Sequence, residues 1–498
     1  MLPTKTTKFS AQALPLSLLR YNQRMLQVIL FLVFLSLTAC GPSAPPAAEE
    51  ESAPPNIVLI VADDLGYGDL GSYGQQNIQT PVLDQLAADG MRFTSFYAGS
   101  TVCAPSRASL MTGFHTGHTT IRGNKAVKPM GQYPLDDEVV TVAEILKGRG
   151  YRTGLIGKWG LGGPGSSGEP NRQGFDYFFG YLGQRHAHNY YPEFLFRNTE
   201  RVPLANVSAE PGRADGSGVA REKKEYSHDL IAEEALRFLD GEPGTPFFLA
   251  LTLTIPHANN EAKDKGMEVP DWGIYADNDW PEPQKGHAAM ITRMDSDIGR
   301  LLDKIDALGL SRQTIVLFTS DNGPHKEGGN DPDFNNSNGP LRGIKRDLYE
   351  GGIRVPLIAR WPGRIAGGST SDFAGAFWDF LPTFSELAGA ETPAGLDGIS
   401  LVPALTGDLS EQPPHEFLYW EFHEGEGSKQ AVRMGDWKAV RLGPNQPLEL
   451  YNLAEDIGEQ NNVAAERAEV VAKIDKYLET ARSESEFWPL RARDTSPP

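Results

Sequence analysis

The chain has 498 residues and a formal net charge of −19, which is too long for a single small core. Its 40% hydrophobic and 22% charged content is that of an ordinary globular enzyme. No block of Lys or Arg forms a phosphate-binding stripe, so the composition excludes a nucleic-acid-binding function; an anionic substrate would need a local basic pocket.

At the N-terminus, Lys5, Lys8, Arg20 and Arg24 precede an apolar run from Met25 to Ala39. That pattern is a charged leader followed by a segment too short to span a membrane comfortably. Leu37-Thr38-Ala39-Cys40-Gly41 resembles a bacterial lipoprotein cleavage box. The resemblance implies cleavage before Cys40 and a lipid on its sulfur, hence membrane anchoring. Residues 1–40 are read as signal peptide and residues 41–55, rich in Pro, Ala and Glu, as a disordered tether. Gly41 stands where an Asp would favour inner-membrane retention, so the expected location is the outer membrane, facing the periplasm or the cell surface. Cys40 and Cys103 are the two cysteines. With Cys40 lipidated, Cys103 has no disulfide partner, which is unusual for an exported chain.

Asn56–Ala62 is a short apolar run that fits a buried strand of a parallel sheet, with Asp63 and Asp64 at its end. Thr80 with Pro81 opens a helix that Gly90 closes. Val140 to Lys147 reads as an amphipathic helix, and Arg152 to Ile156 as a strand leading into Lys158. Asp229 to Leu239 is a helix, Pro246 to Ile255 a strand ending near His257, and Ala288 to Leu308 a helix. Thr314 to Thr319 is a buried strand ending at Asp321 and Asn322, and Val355 to Trp361 is one more strand. This alternation predicts an α/β fold, a doubly wound sheet flanked by helices, with ligand groups at the carboxyl ends of strands. It occupies residues 56–410. Residues 411–498 change texture. Short strands at 417–422, 431–434, 437–441 and 448–451 precede a charged helix at 464–482, predicting a smaller antiparallel sheet plus helix.

Asp63, Asp64, Asp321 and Asn322 offer four oxygen donors without Cys or His, a set suited to a hard cation. Cys103-Ala104-Pro105-Ser106-Arg107, with Thr112-Gly113 downstream, matches C-x-P-S-R-x-x-x-x-T-G. On these residues the chain resembles the formylglycine-dependent sulfatases of the alkaline phosphatase superfamily. Gly157-Lys158-Trp159-Gly160-Leu161-Gly162 is similar to the family's G-K-W-H-L-G. Lys345, in the block from Gly339 to Gly352, also falls in a family block. The resemblance extends from Asn56 to Leu453.

The resemblance implies that Cys103 is oxidised on export to formylglycine (3-oxoalanine) by a maturation enzyme. Hydrated, that aldehyde carries two hydroxyls on one carbon, one to attack the sulfur and one to expel sulfate. It implies one Ca²⁺, or less favourably Mg²⁺, on the four oxygen ligands with the Cys103-derived diol completing the shell. Arg107, Lys158 and Lys345 would hold sulfate oxygens. His257 would serve the leaving alcohol, as a general acid if nearby carboxylates keep it protonated. Gly160 departs from the family's His, whose role is to take the proton of the second hydroxyl. That role is lost, left to water, or supplied by His188, His186 or His118, with His188 favoured. Phe114 also departs from a common Arg. His118, Arg122, Asn124 and His186 are further substrate-contact candidates. The implied activity is hydrolysis of sulfate esters, with a sulfated carbohydrate as substrate and 4-O-sulfated galactose or N-acetylgalactosamine as the specific expectation. A phosphonate monoester or phosphodiester hydrolase of the same superfamily, and a non-catalytic binder of sulfated glycans, are the alternatives.

Overall fold

The computed structural model describes residues 53–210, 213–425 and 427–492. The leader, the cleavage box at Cys40 and most of the tether lie outside them. No helix among the described residues is long and apolar enough to cross a membrane.

The main sheet has ten strands. They are β1 (Asn56–Ala62), β2 (Met91–Phe93), β3 (Arg152–Lys158), β4 (Tyr177–Tyr181), β5 (Phe194–Arg197), β6 (Glu200–Pro203), β7 (Phe247–Thr252), β8 (Thr314–Ser320), β9 (Leu357–Arg360) and β10 (Ser369–Ser371). Their order across the sheet is β10-β2-β9-β8-β1-β7-β3-β4-β5-β6. The central run from β8 to β4 is parallel. The apolar character of β1 follows from its place there. Ile57, Leu59 and Val61 enter one core cluster while Val58, Ile60 and Ala62 enter another. Period-2 alternation puts them on opposite faces, and both faces are covered. Truncating Leu59, which is fully buried, would cost about 3 kcal/mol.

Flanking helices include α1 (Pro81–Asp89), α2 (Cys103–Thr112), α3 (Val142–Gly148), α4 (Gln184–Ala187), α5 (Ser227–Phe238) and α6 (Glu282–Ala307). Helix α3 opens on a capping box between Thr141 and Glu144. Helix α6 starts six residues before the periodic pattern suggests, because Pro283 sits in its first turn, where the missing N–H costs nothing. Strand β9 runs antiparallel to β8. No strand-length helix lies between them to carry the chain back across the sheet, so it returns in the opposite direction.

Strands β11 (Leu418–Phe422), β12 (Lys429–Met434), β13 (Trp437–Arg441) and β14 (Glu449–Asn452) form a four-stranded antiparallel meander. Tyr419, Val432, Ala439 and Leu450 pack on Ile474 and Leu478 of helix α7 (Ala468–Leu478). Trp420, Ala431 and Val440 on the other face pack with Tyr97, Val102 and Trp378. The small sheet thereby backs the segment leading into α2.

Candidate active site

Three strands of the central parallel run deliver the polar groups. β1 ends before Asp63 and Asp64, β8 before Asp321 and Asn322, and β3 ends on Lys158. Carboxyl ends of parallel strands open onto a common crevice, which gathers these side chains despite their separation in sequence. Asp64 has φ 65°, a left-handed conformation that Asp tolerates better than most residues. The turn points its N–H at Asp321 Oδ1, 3.2 Å away.

Helix α2 brings Cys103 into this crevice at its first turn, and the whole helix is buried. The thiol donates to Asp63 Oδ1 at 3.4 Å. One turn on, Arg107 Nε and Nη2 donate to Asp321 Oδ2 at 3.0 and 2.8 Å, and Nη1 donates to the Lys158 carbonyl at 2.7 Å. Asn124 Oδ1 accepts from Ala104 N at 3.2 Å. Asn124, expected as a substrate contact, therefore supplies an acceptor to one of the open N–H groups of the nucleophile helix.

Cations answer the carboxylates. Lys158 Nζ lies 2.5 Å from Asp63 Oδ2, and Lys345 Nζ lies 2.7 Å from Asp64 Oδ2. Burial pushes the Asp63 carboxyl up, but the charges of Lys158 and Arg107 hold it below its usual value. Asp64 comes down to about 2 against its burial, chiefly through Lys345. Asp321 goes the other way, up to about 7, through burial and the nearby Asp63 charge. Burial, then Asp63, raises the Cys103 thiol well above its ordinary value. An unconverted Cys103 is thus held as a thiol and is no thiolate nucleophile.

The ligand atoms of Asp63, Asp64, Cys103 and His257 lie within 4.8 Å of one another. Asp321 is not in that group, and its Oδ2 accepts from Arg107. Asn322 Nδ2 donates to Asp64 Oδ1 at 2.6 Å, while Asn322 Oδ1 is buried without a partner. A buried carboxamide oxygen with no donor is costly unless something electropositive faces it. Beside three carboxylates, it fits the oxygen shell of a hard cation.

His257 departs from expectation in its charge. Its Nδ1 lies 2.6 Å from the Ala258 carbonyl and its Nε2 lies 3.0 Å from Lys345 Nζ. Nδ1 therefore carries the proton and Nε2 accepts from the ammonium. Burial and the adjacent Lys345 drive its pKa well below normal. The imidazole is neutral here, and the carboxylates do not keep it protonated.

Comparison with known proteins bears on what this crevice does. The sulfatase domain pattern matches residues 55–390, and the pattern described as N-sulphoglucosamine sulphohydrolase, C-terminal, matches residues 344–484. Arylsulfatase A of Homo sapiens is 36% identical over 462 residues, covering 82% of this chain and 83% of its own. The chain belongs to the sulfatase family. N-acetylgalactosamine-6-sulfatase of Sus scrofa is 34% identical over 414 residues, covering 78% of this sulfatase and 71% of its own length. The solved structure of Ps i-CgsB in complex with k-i-k-neocarrahexaose is 28% identical with a TM-score of 0.71, covering 86% of this chain and 92% of that one. The protein is accordingly a sulfuric ester hydrolase with the alkaline-phosphatase-like fold.

The remaining sequence-derived positions of this sulfatase fall into place by burial. His188 reaches the site: its ring stacks on His257 at 4.8 Å and 15°, and its Nδ1 lies 3.2 Å from Glu261 Oε2. His186 does not. It is buried against Tyr181 and Phe194 with Nε2 on the Phe194 carbonyl, and burial pushes its imidazole down to about 3. His118 pairs with Asp397 at 2.9 Å beyond the far end of α2. Ten residues of helix, about 15 Å, separate that end from Cys103. Arg122 is buried and not a substrate contact: its guanidinium is taken by Glu421 at 3.0 Å and by Ser483. Arg122→Ala is expected to cost about 3 kcal/mol, because it strips a partner from a fully buried carboxylate. Urea unfolding would read that loss, and an unchanged midpoint would contradict it.

Three groups were missed from sequence, the first being Glu261 on His188. Glu327 lies 3.5 Å from Lys345 Nζ, with no motif to mark it. Gln184 fills the space at Gly160: a Cβ built there would stand 2.1 Å from Gln184 Nε2. Gly160 also has φ 83°, so a side chain there would be strained by the backbone and would have to displace the Gln184 amide. The only signal in the sequence was the glycine itself.

Proposed function

We propose that this sulfatase removes O-sulfate from a carbohydrate, using a formylglycine made from Cys103 and one divalent cation, Ca²⁺ ahead of Mg²⁺. The observation that carries the reading is the thiol of Cys103 set 3.4 Å from Asp63 among three carboxylates and three cations. A cation would be held by Asp63, Asp64, Asp321 and Asn322 and would draw electron density from the sulfate oxygens. Formylglycine, hydrated, would supply two hydroxyls on one carbon.

The chain's own groups do the rest. Arg107, Lys158 and Lys345 each have their pKa raised in spite of burial by adjacent carboxylates, so all three stay cationic to hold sulfate oxygens. The junction of Lys345 Nζ and His257 Nε2 holds a proton where a leaving alcohol would need one. His188, oriented by Glu261, is the proposed substitute for the imidazole missing at position 160. His188→Ala should lower kcat about 100-fold; an unchanged rate would remove it from the reaction.

Support for a carbohydrate comes from the relatives, one named for N-acetylgalactosamine 6-sulfate and one solved with a neocarrahexaose. Within that class, 4-O-sulfated galactose or N-acetylgalactosamine units of galactans or glycosaminoglycans are the proposed substrates. The proposal extends to a catalytic domain over 56–410 with a subdomain over 411–498. It also includes a maturation enzyme acting on Cys103 and a lipid anchor at Cys40 on the outer membrane, facing the periplasm or the surface. Turnover of 4-nitrophenyl sulfate should exceed that of the matching phosphodiester by about 100-fold or more in kcat/KM. The reverse preference would favour the phosphonate monoester or phosphodiester reading. Release of sulfate from 4-O- and 6-O-sulfated sugars would then fix the position.

A further inference from the structure

Gln184 is 5% exposed, yet neither Nε2 nor Oε1 of its carboxamide has a hydrogen-bond partner. A buried amide with both ends open destabilises the fold it sits in, so it calls for a reason other than packing. Its surroundings point to one. The amide lies where a side chain on Gly160 would begin, two residues beyond Lys158, whose Nζ is on Asp63. Gln184 opens helix α4, and His188 caps its other end. Residues four apart share one helix face. His188 lies with its ring against His257, which is itself on Lys345. Gln184 thus meets Gly160, two positions along the chain from Lys158, and shares a short helix with His188, whose ring lies on His257.

We propose that the Gln184 carboxamide is a sulfate-contacting group of this site, with Nε2 donating to a sulfate oxygen and Oε1 accepting from an adjacent hydroxyl. A carboxamide does both and takes up no proton. His188 keeps the proton-taking role proposed above, and Gln184 adds a neutral hydrogen-bonding contact beside Gly160. Specificity for sulfate gains a donor without gaining charge. The inference rests on the sulfatase reading of the crevice, but not on conversion of Cys103 or on turnover.

The test uses the full exported chain and inorganic sulfate as the probe, with Kd from calorimetry and Tm from calorimetric melting. Gln184→Leu should weaken sulfate binding at least tenfold while leaving Tm unchanged or raised, since two unpaired buried polar ends are removed. Gln184→Glu, of the same size, should weaken it further by adding a like charge beside the anion. A sulfate Kd within twofold of wild type in both variants would overturn the assignment. So would a fall in Tm with Kd unchanged, which would make Gln184 a structural residue. Failure of the formylglycine reading is seen separately, as an unmodified Cys103 in the peptide mass.

Discussion

Cys103→Ala is expected to lower turnover of an aryl sulfate by about 10⁴-fold or more, the order seen when a covalent nucleophile is deleted. The fold should survive. The side chain is 3% exposed and its sulfur makes one weak contact, with Asp63, so the loss is about 1 kcal/mol. Helix α2 keeps Arg107 on Asp321 and Asn124 on Ala104 N without it. The expected result is therefore an inactive protein with a near-normal melting curve. Wild-type rates in that variant would sink the nucleophile assignment. The companion measurement is the mass of the wild-type peptide across residue 103 after export. Conversion to formylglycine makes it about 18 Da lighter than the thiol form, since oxygen replaces sulfur and two hydrogens are lost in the oxidation to the aldehyde. An intact thiol in exported protein would contradict the mechanism directly, because burial and Asp63 keep that thiol protonated and leave it a poor nucleophile.

What could be read from the sequence was what depends on short-range pattern. β1 and β8 were legible because continuous apolar runs ended by acidic residues mark buried parallel strands with ligands at their tips. Asp63, Asp64, Asp321 and Asn322 came with them as strand-end groups, and Cys103 came separately through its motif. The unread part depends on contacts between distant segments. Arg122 sits in a glycine-flanked loop that resembles a substrate loop, yet its partner Glu421 is 299 positions away in a strand of the small sheet. His186 and His188 are two residues apart and looked alike. A short helix turns one into an aromatic packing site and the other onto His257. The charge of His257 was likewise unreadable, since proximity to acids argued for protonation while the nearer Lys345 and burial decide against it. Gln184 could not be found at all, because only the folded chain sets its amide over Gly160.

The carboxylates are the second place where a small change should have a large effect. Asp64 is fully buried, and its Oδ1 and Oδ2 accept from Asn322 and Lys345. Asp64→Asn preserves size and tolerates the left-handed backbone, but removes one of three charges that would attract a divalent cation. Lys345 keeps Glu327 as a partner at 3.5 Å, so the variant should fold. In chelator-treated wild type, Ca²⁺ at about 100 times its Kd should add about 2.7 kcal/mol of stability, visible as a rise in Tm. Asp64→Asn should lose most of that rise and about 1,000-fold in kcat/KM, because the charge at the sulfate is no longer balanced at a preorganised site. The two readouts answer different questions. A Ca²⁺-dependent rise equal to wild type in the variant would show that Asp64 is not a ligand, whatever happens to the rate. A lost rise with the rate retained would show that the cation is structural. Loss of both is the expected outcome, and Mg²⁺ added in place of Ca²⁺ should restore less of either. Its tighter octahedral demand is poorly met by side chains already fixed on Arg107, Lys158 and Lys345.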